Sequence, residues 1–362
     1  MVRVIGIDPG TKSFDFCGLD DGKLFMDTAI PSEDILKDPE LVMELLESAE
    51  PLDLIVGPSG YGLPLTHISK IDDQKLFLMA LIRPDSKTRE NLGLRKVLNA
   101  LKRENFNIYF IPGIIHMPTV PSYRKVNKID MGTADKLCCS VLGVFDQARH
   151  YNIDYDKVSF ILVEMGHGFN AIIGVEKGQI VDGIGGTSGS IGFLSLGFMD
   201  GELAYLLNKI DKKTLRQGGA AYIARNERIT PDEFAIRIGD ERYNLAWEAF
   251  MEGIEKGVAQ MRISVKEPRE IMLSGRLCRV KRIYDELFKR LSALGKVRRV
   301  EGLAKVAKEA AQGAALLADG LAGGQYEKLV DFMRIKEAKG TVLDHIYLKD
   351  IDELKLEYRS KN

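Results

Sequence analysis

Two stretches of this chain run through the same order of short elements, and that repetition limits the fold more than any single motif. Residues 2–7, 14–19 and 23–30 are short β-prone runs separated by the turn sequences Asp8-Pro9-Gly10-Thr11 and Asp20-Asp21-Gly22. Turn residues between such runs predict three antiparallel strands. The pattern restarts at 158–163, 170–175 and 179–181, with turns at Gly166-His167-Gly168 and Glu176-Lys177-Gly178. After the first meander, apolar spacing predicts a helix over 40–48, a strand over 52–56, a helix over 92–103 and a strand over 108–111. After the second it predicts a helix over 243–265, a strand over 270–273, a helix over 281–291, a strand over 297–300 and a small-residue helix over 304–321. The expected fold is α/β, a duplicated βββαβα unit recognised by element order rather than residue identity.

At 362 residues the chain is longer than one core usually grows, so two domains are expected, 1–150 and 151–362, joined near a helix over 133–149. The 51 Lys and Arg nearly balance the 52 Asp and Glu, which argues against a nucleic-acid or acidic-membrane partner. Any anion must be bound locally. Cys17, Cys138, Cys139 and Cys278 lack the spacing of a zinc site and the density of a disulfide scaffold, so reduced structural thiols are expected. No signal-peptide core opens the chain and no apolar run has the length of a membrane span, which predicts a soluble cytoplasmic protein.

Four features carry chemistry. In the turn Asp8 to Ser13, Gly10 lets backbone approach a phosphate, Thr11, Lys12 and Ser13 offer donors or positive charge, and Asp8 is a hard oxygen suited to hydrated magnesium. The equivalent turn of the second meander is Glu164-Met165-Gly166-His167-Gly168, followed by the glycine-rich segment 183–192, where Gly185, Gly186 and Thr187 can present N–H groups to anionic oxygens. Two such turns in equivalent places predict a clamp for a polyphosphate. The strand over 270–273 ends in Ser274-Gly275-Arg276, and ligands collect at the carboxyl ends of strands in α/β sheets. Finally, the alanine- and glycine-rich run 306–317 allows close helix packing.

In this order the four features resemble the phosphate-1, phosphate-2, adenosine and connecting-helix motifs of the superfamily of actin, heat-shock chaperones, sugar kinases and acetate kinases. The match covers residues 2–324, and the whole chain looks like an archaeal family, DUF1464, labelled predicted butyrate kinase. The resemblance implies a two-lobed ribonuclease-H-like fold around a nucleotide cleft, with ATP and Mg2+ as cofactors. It implies Asp8 and Glu164 at the metal, Gly10, Thr11, Lys12, Gly166, His167, Gly168, Gly185, Gly186 and Thr187 at the phosphates, and Ser274, Gly275 and Arg276 at the nucleoside. Two positions depart from the superfamily pattern: Glu164 stands where an aspartate is usual, and Gly275-Arg276 where Gly-Gly is common.

The segment Gly132-Thr133-Ala134-Asp135-Lys136 is similar to the Gly-x-Asp-Arg segment of bacterial type III pantothenate kinases, which makes Asp135 the candidate general base and Lys136 a charge neutraliser. A helix start, capped by Asp130 or Thr133, explains the same residues. His116 and His167, with Arg83, Arg89 or Arg124, are candidate helpers for an acyl phosphate. The reading is an ATP-dependent phosphotransferase acting on a small carboxylate or alcohol, with a homodimer compatible with it. Its rivals are an ATP-hydrolysing switch acting on a partner protein and a nucleotide-binding protein without turnover.

Overall fold

The computed structural model describes residues 1–57, 59–82, 98, 100–102, 106–226, 228–236, 239–349 and 351–352. The expected helix over 92–103 lies largely outside the described residues, as do Arg83 and Arg89. Two compact units divide the chain: residues 1–129 with 133–142 and 302–362, and residues 130–132 with 143–301. Residues 302–362 therefore belong with the N-terminal unit, whereas a linear division at residue 150 assigns them to the second.

The first unit holds a sheet of β1 (Arg3–Pro9), β2 (Ser13–Asp20), β3 (Lys23–Pro31), β4 (Leu54–Val56), β5 (Thr66–His67) and β6 (Ile108–Phe110), ordered β3-β2-β1-β4-β6-β5. The second holds β7 (Phe160–Met165), β8 (Asn170–Glu176), β9 (Gln179–Ile184), β10 (Glu270–Ser274) and β11 (Val297–Arg299), ordered β11-β10-β7-β8-β9. In each, an antiparallel meander is extended from its first strand by two parallel strands. The meanders lie in separate sheets, as the duplication requires.

Local geometry repeats as well. The middle strand of each meander ends Gly18-Leu19-Asp20 or Gly174-Val175-Glu176, and each carries a register irregularity directly after its glycine. Each then enters a two-residue turn with positive φ at both positions, 46° and 72° at Asp21 and Gly22, 50° and 68° at Lys177 and Gly178. That geometry matches the right-handed twist of the flanking strands. Bulge and turn recur although the residues differ, so the two units preserve one backbone design.

Helix Glu309–Leu321 is buried from Glu309 to Gly320, and its small residues let it lie directly on β1. A Cβ on Gly6 would come 2.2 Å from Ala315 N, and one on Gly313 1.9 Å from Cys138 O. The helix starts at Glu309 rather than at 304 because the Asp27 carboxylate accepts hydrogen bonds from the N–H groups of Lys305, Val306 and Ala307 at 2.7–3.1 Å, holding them outside helical pairing. The second unit's core is built by helix Glu241–Met261, whose Trp247, Phe250, Ile254 and Val258 are buried, with Ile161, Val163 and Leu273. All four cysteines are buried free thiols. No helix among the described residues is long and apolar enough to cross a membrane.

Candidate functional site

In the first unit the antiparallel register places Asp8, near the end of β1, opposite Asp15 on β2. Both carboxylates meet Lys308, which precedes the buried helix: its Nζ lies 2.7 Å from Asp8 Oδ2 and 3.0 Å from Asp15 Oδ2. The Lys308 backbone N–H also donates to Asp15 Oδ1 at 3.2 Å, and Ser13 Oγ donates to Asp15 Oδ2 at 2.7 Å. Burial raises the Asp8 carboxyl above the ordinary aspartate value, against the pull of Lys308, and the charges of Asp135 and Asp15 push the same way as burial. For Lys308 burial acts downward, but Asp8 and Asp15 outweigh it and push the ammonium up to about 12. The lysine is therefore a fixed cation near neutral pH.

The turn itself is tight. Gly10 N–H donates to Asp8 O at 3.1 Å and to Ser13 O at 2.9 Å, while Ser32 Oγ donates to Gly10 O at 2.7 Å. Thr11 and Lys12 are exposed at its tip. Asp135 lies in the first turn of helix Ala134–Tyr151, with Lys136 Nζ 2.5 Å from its Oδ2 and Thr133 Oγ1 donating to its Oδ1. Burial raises this carboxyl, but Lys136, Thr133 and Lys308 together carry it below the ordinary value. Thr133 and Asp135 thus both shape the helix start and belong to the same field of charge as Asp8.

With every group ionised, Asp8, Asp15 and Asp135 set three negative charges against Lys308 and Lys136, leaving one uncompensated. Hard carboxylate oxygens with residual negative charge fit magnesium, which is commonly held by one or two carboxylates with substrate phosphates and water. No group of three or more His, Cys, Asp or Glu side chains among the described residues is arranged to hold a metal by itself. The donor set suits a cation that arrives with an anion.

In the second unit the parallel register pairs Glu164, near the end of β7, with Ser274 at the end of β10. Glu164 is buried, and its carboxylate lies against both glycine turns: a Cβ on Gly275 would come 2.6 Å from Glu164 Oε1, and one on Gly166 3.6 Å from Oε2. Gly275 has φ +91° and also abuts Met165 O, so a side chain there meets both strain and collision. The Ser274 hydroxyl is 1% exposed and has no hydrogen-bond partner among the described residues. Arg276 begins the short turn Arg276–Arg279 and is partly exposed. The Glu164, Gly166 and Ser274–Arg276 motifs, separate in sequence, thus meet at neighbouring strand ends.

The glycine-rich loop is arranged differently from the expectation of free N–H donors. Thr187 N–H and Oγ1 both donate to Asp130 Oδ2 at 3.1 Å, Gly185 N–H donates to Ser188 Oγ at 3.1 Å, and Ser188 Oγ lies 2.7 Å from Asp130 O. Gly185 lies so close to Asp130 that a Cβ would overlap its carboxylate, and Gly186 packs on Phe169. Asp130 is consequently a loop anchor, its carboxylate accepting from Gly132 and Thr187 and, among the described residues, from no N–H of helix Ala134–Tyr151. Around Gly168 a Cβ would meet nothing within 4 Å, so that side of the turn is open. His167 stacks at a tilt 5.5 Å from Phe193.

His116 is 2% exposed and burial lowers it to about 4, leaving a neutral ring that cannot supply a cation to an acyl phosphate. Arg124 lies over Tyr123 at 5.7 Å. Lys308 and Asp15 were the residues missed by the sequence reading. The available signal was Lys308 itself, next to Glu309 at the mouth of a helix that carries no further charge until Asp319.

Comparison with solved structures places this topology. An acetate kinase from Entamoeba histolytica is 12% identical with a TM-score of 0.58, over 81% of this chain and 87% of that one. A propionate kinase from Francisella tularensis is 15% identical with a TM-score of 0.59, over 86% and 99%. The Porphyromonas gingivalis acetate kinase is 13% identical with a TM-score of 0.58, over 88% and 99%. At these identities the likeness is one of fold. No curated protein matches the sequence. A family model described as protein of unknown function, DUF1464, matches residues 6–348, and the chain belongs to that family, built on the fold of acetate and propionate kinases.

Proposed function

We propose that this chain is an ATP-dependent phosphotransferase that passes the γ-phosphoryl group to a small carboxylate or hydroxyl acceptor. The observation that carries the reading is the buried Asp8–Lys308–Asp15 cluster beside Asp135, set at the first hairpin of a kinase-like fold. Magnesium, held by Asp8 through water, would neutralise phosphate charge when bound. Thr11 and Lys12 at the exposed turn would grip phosphate oxygens, with Gly10 keeping the backbone close. On the second unit, Gly166 to Gly168 would meet phosphate and the orphaned Ser274 hydroxyl, Gly275 and Arg276 the nucleoside.

The acceptor oxygen bonds to the γ-phosphorus as the bond to the β–γ bridging oxygen breaks, and ADP leaves with that electron pair. Catalysis is then mostly positioning and charge neutralisation. With an alcohol acceptor the hydroxyl proton passes to Asp135. A carboxylate acceptor arrives already ionised and has none to give. Kinases of this fold named for acetate and propionate make short carboxylates the first acceptors to try.

The test is ADP release from magnesium-ATP, screened against acetate, propionate, butyrate, pantothenate-like alcohols and sugars. Acceptor-dependent release that Asp8→Asn abolishes supports the reading. ATP binding with hydrolysis that no acceptor stimulates would point to the switch instead, and absence of ATP binding would end both readings.

A further inference from the structure

We propose that the Lys308 ammonium is itself a ligand-binding group, with one N–H bond directed to a terminal phosphate oxygen of a polyphosphate chain. The inference rests on the reading of the Asp8 turn as a phosphate site, and adds to it a residue that lies 300 positions away in the chain.

An ammonium has three donors. Among the described residues two are taken, by Asp8 and Asp15, leaving one. The side chain is 15% exposed, enough for an oxygen to reach it and little enough that water screens the contact weakly. Its position is fixed from several sides. Asp27 holds the three preceding backbone N–H groups, and Asp15 holds that of Lys308. Gly10 completes the arrangement: a Cβ at that residue would lie 2.2 Å from Lys308 Nζ. The absent side chain of the phosphate turn is therefore the space that the ammonium occupies.

A purely structural role accounts less well for these features. Burying one cation with two carboxylates is costly and an apolar side chain could fill the same volume, so a packing role supplies no reason for the charge. A residual negative cluster also repels an anion unless a cation stands at its front. Lys308 supplies that cation whether or not a metal accompanies the ligand. A phosphate oxygen bound to it would lie beside the turn that carries Gly10, Thr11 and Lys12.

The experiment is calorimetric titration of the full chain with tripolyphosphate, with and without magnesium, for wild type, Lys308→Met and Asp15→Asn/Lys308→Met. The double variant removes one carboxylate together with the ammonium, so it tests the contact even where the single variant fails to fold. Wild-type binding is expected to weaken at least about tenfold in the folded variants, the worth of one charge-assisted contact, and by the same factor in both magnesium arms. Affinity within about twofold of wild type in the folded double variant overturns the inference. So does a loss confined to the magnesium arm. Tripolyphosphate binding that depends on Lys308 in a chain that transfers phosphate to no acceptor would leave the inference standing and remove the transferase reading alone.

Discussion

Asp135→Asn separates the two acceptor classes. The carboxylate is a third exposed, paired with Lys136 and placed in the first turn of its helix. Losing a partly exposed pair and a favourable charge at a helix start costs about 1 kcal/mol, and relief of repulsion on Asp8 offsets part of it. The variant should therefore remain folded. Because its neighbours hold this carboxyl below the ordinary aspartate value, it is a weak base, and its assistance belongs at the lower end of general-base effects, about 100-fold. Turnover with an alcohol acceptor should fall by about that factor, with ATP affinity within a fewfold. With a carboxylate acceptor there is no proton to remove, and turnover should stay within about threefold of wild type. Coupled ADP-release kinetics on both acceptor types, with calorimetry for ATP, measure each arm. Undiminished turnover with an alcohol, or a thermal midpoint that collapses along with turnover, would show that Asp135 serves only the helix terminus.

Asp8→Asn should weaken magnesium-ATP binding by about tenfold or more and metal-free ATP binding much less; equal losses in calorimetry would make Asp8 a turn residue only. Gly275→Ala must accommodate both a φ of +91° and a contact at 2.5 Å with Met165 O, which costs about 1–3 kcal/mol, and its displaced Glu164 neighbour should weaken ATP binding as well; a thermal midpoint and ATP affinity equal to wild type refute that account. Glu270 gives a pH prediction: burial raises its carboxyl, but Arg298, Gln147 and Tyr151 carry it below the ordinary glutamate value. A depressed folded value means stability that is present above the unfolded value and lost as pH falls through the folded one. Glu270→Gln should therefore flatten the decline of stability on the acid side of about pH 4.3, and a variant whose urea midpoint falls as steeply as wild type contradicts it.

The fold was legible because hairpins announce themselves locally. Helices Glu40–Ser48 and Lys281–Leu291 are predicted to the residue, since apolar spacing alone fixes their buried faces. Strand β5, two residues long at Thr66–His67, leaves no periodicity to detect. The candidate residues Asp8, Glu164 and Ser274 were visible because each lies at or one residue before the end of an apolar strand, one or two residues ahead of a glycine. The meeting of Lys308 with Asp8 and Asp15 was not, because an ion pair across 300 positions depends on a chain path that no local pattern encodes. Thr187 misled for a related reason: a glycine-rich sequence shows that backbone comes close to something, and here that neighbour includes Asp130 rather than only a ligand.

Helix Glu309–Leu321 also dictates an order of events during synthesis. Strands β1 and β2 emerge first, yet the surface they need for burial is encoded some 300 residues later, beginning at the sequence that also carries Lys308. Until those residues leave the ribosome, Val4, on the same face of β1 as Gly6, lacks the helix that covers it, whereas the second sheet has all five of its strands by Arg299. Contacts of such long sequence separation form slowly and leave apolar strands open to wrong pairing in the meantime. The inserted unit is thus positioned to mature first, and the acidic pair on the first hairpin receives its cation only after that whole unit has been made.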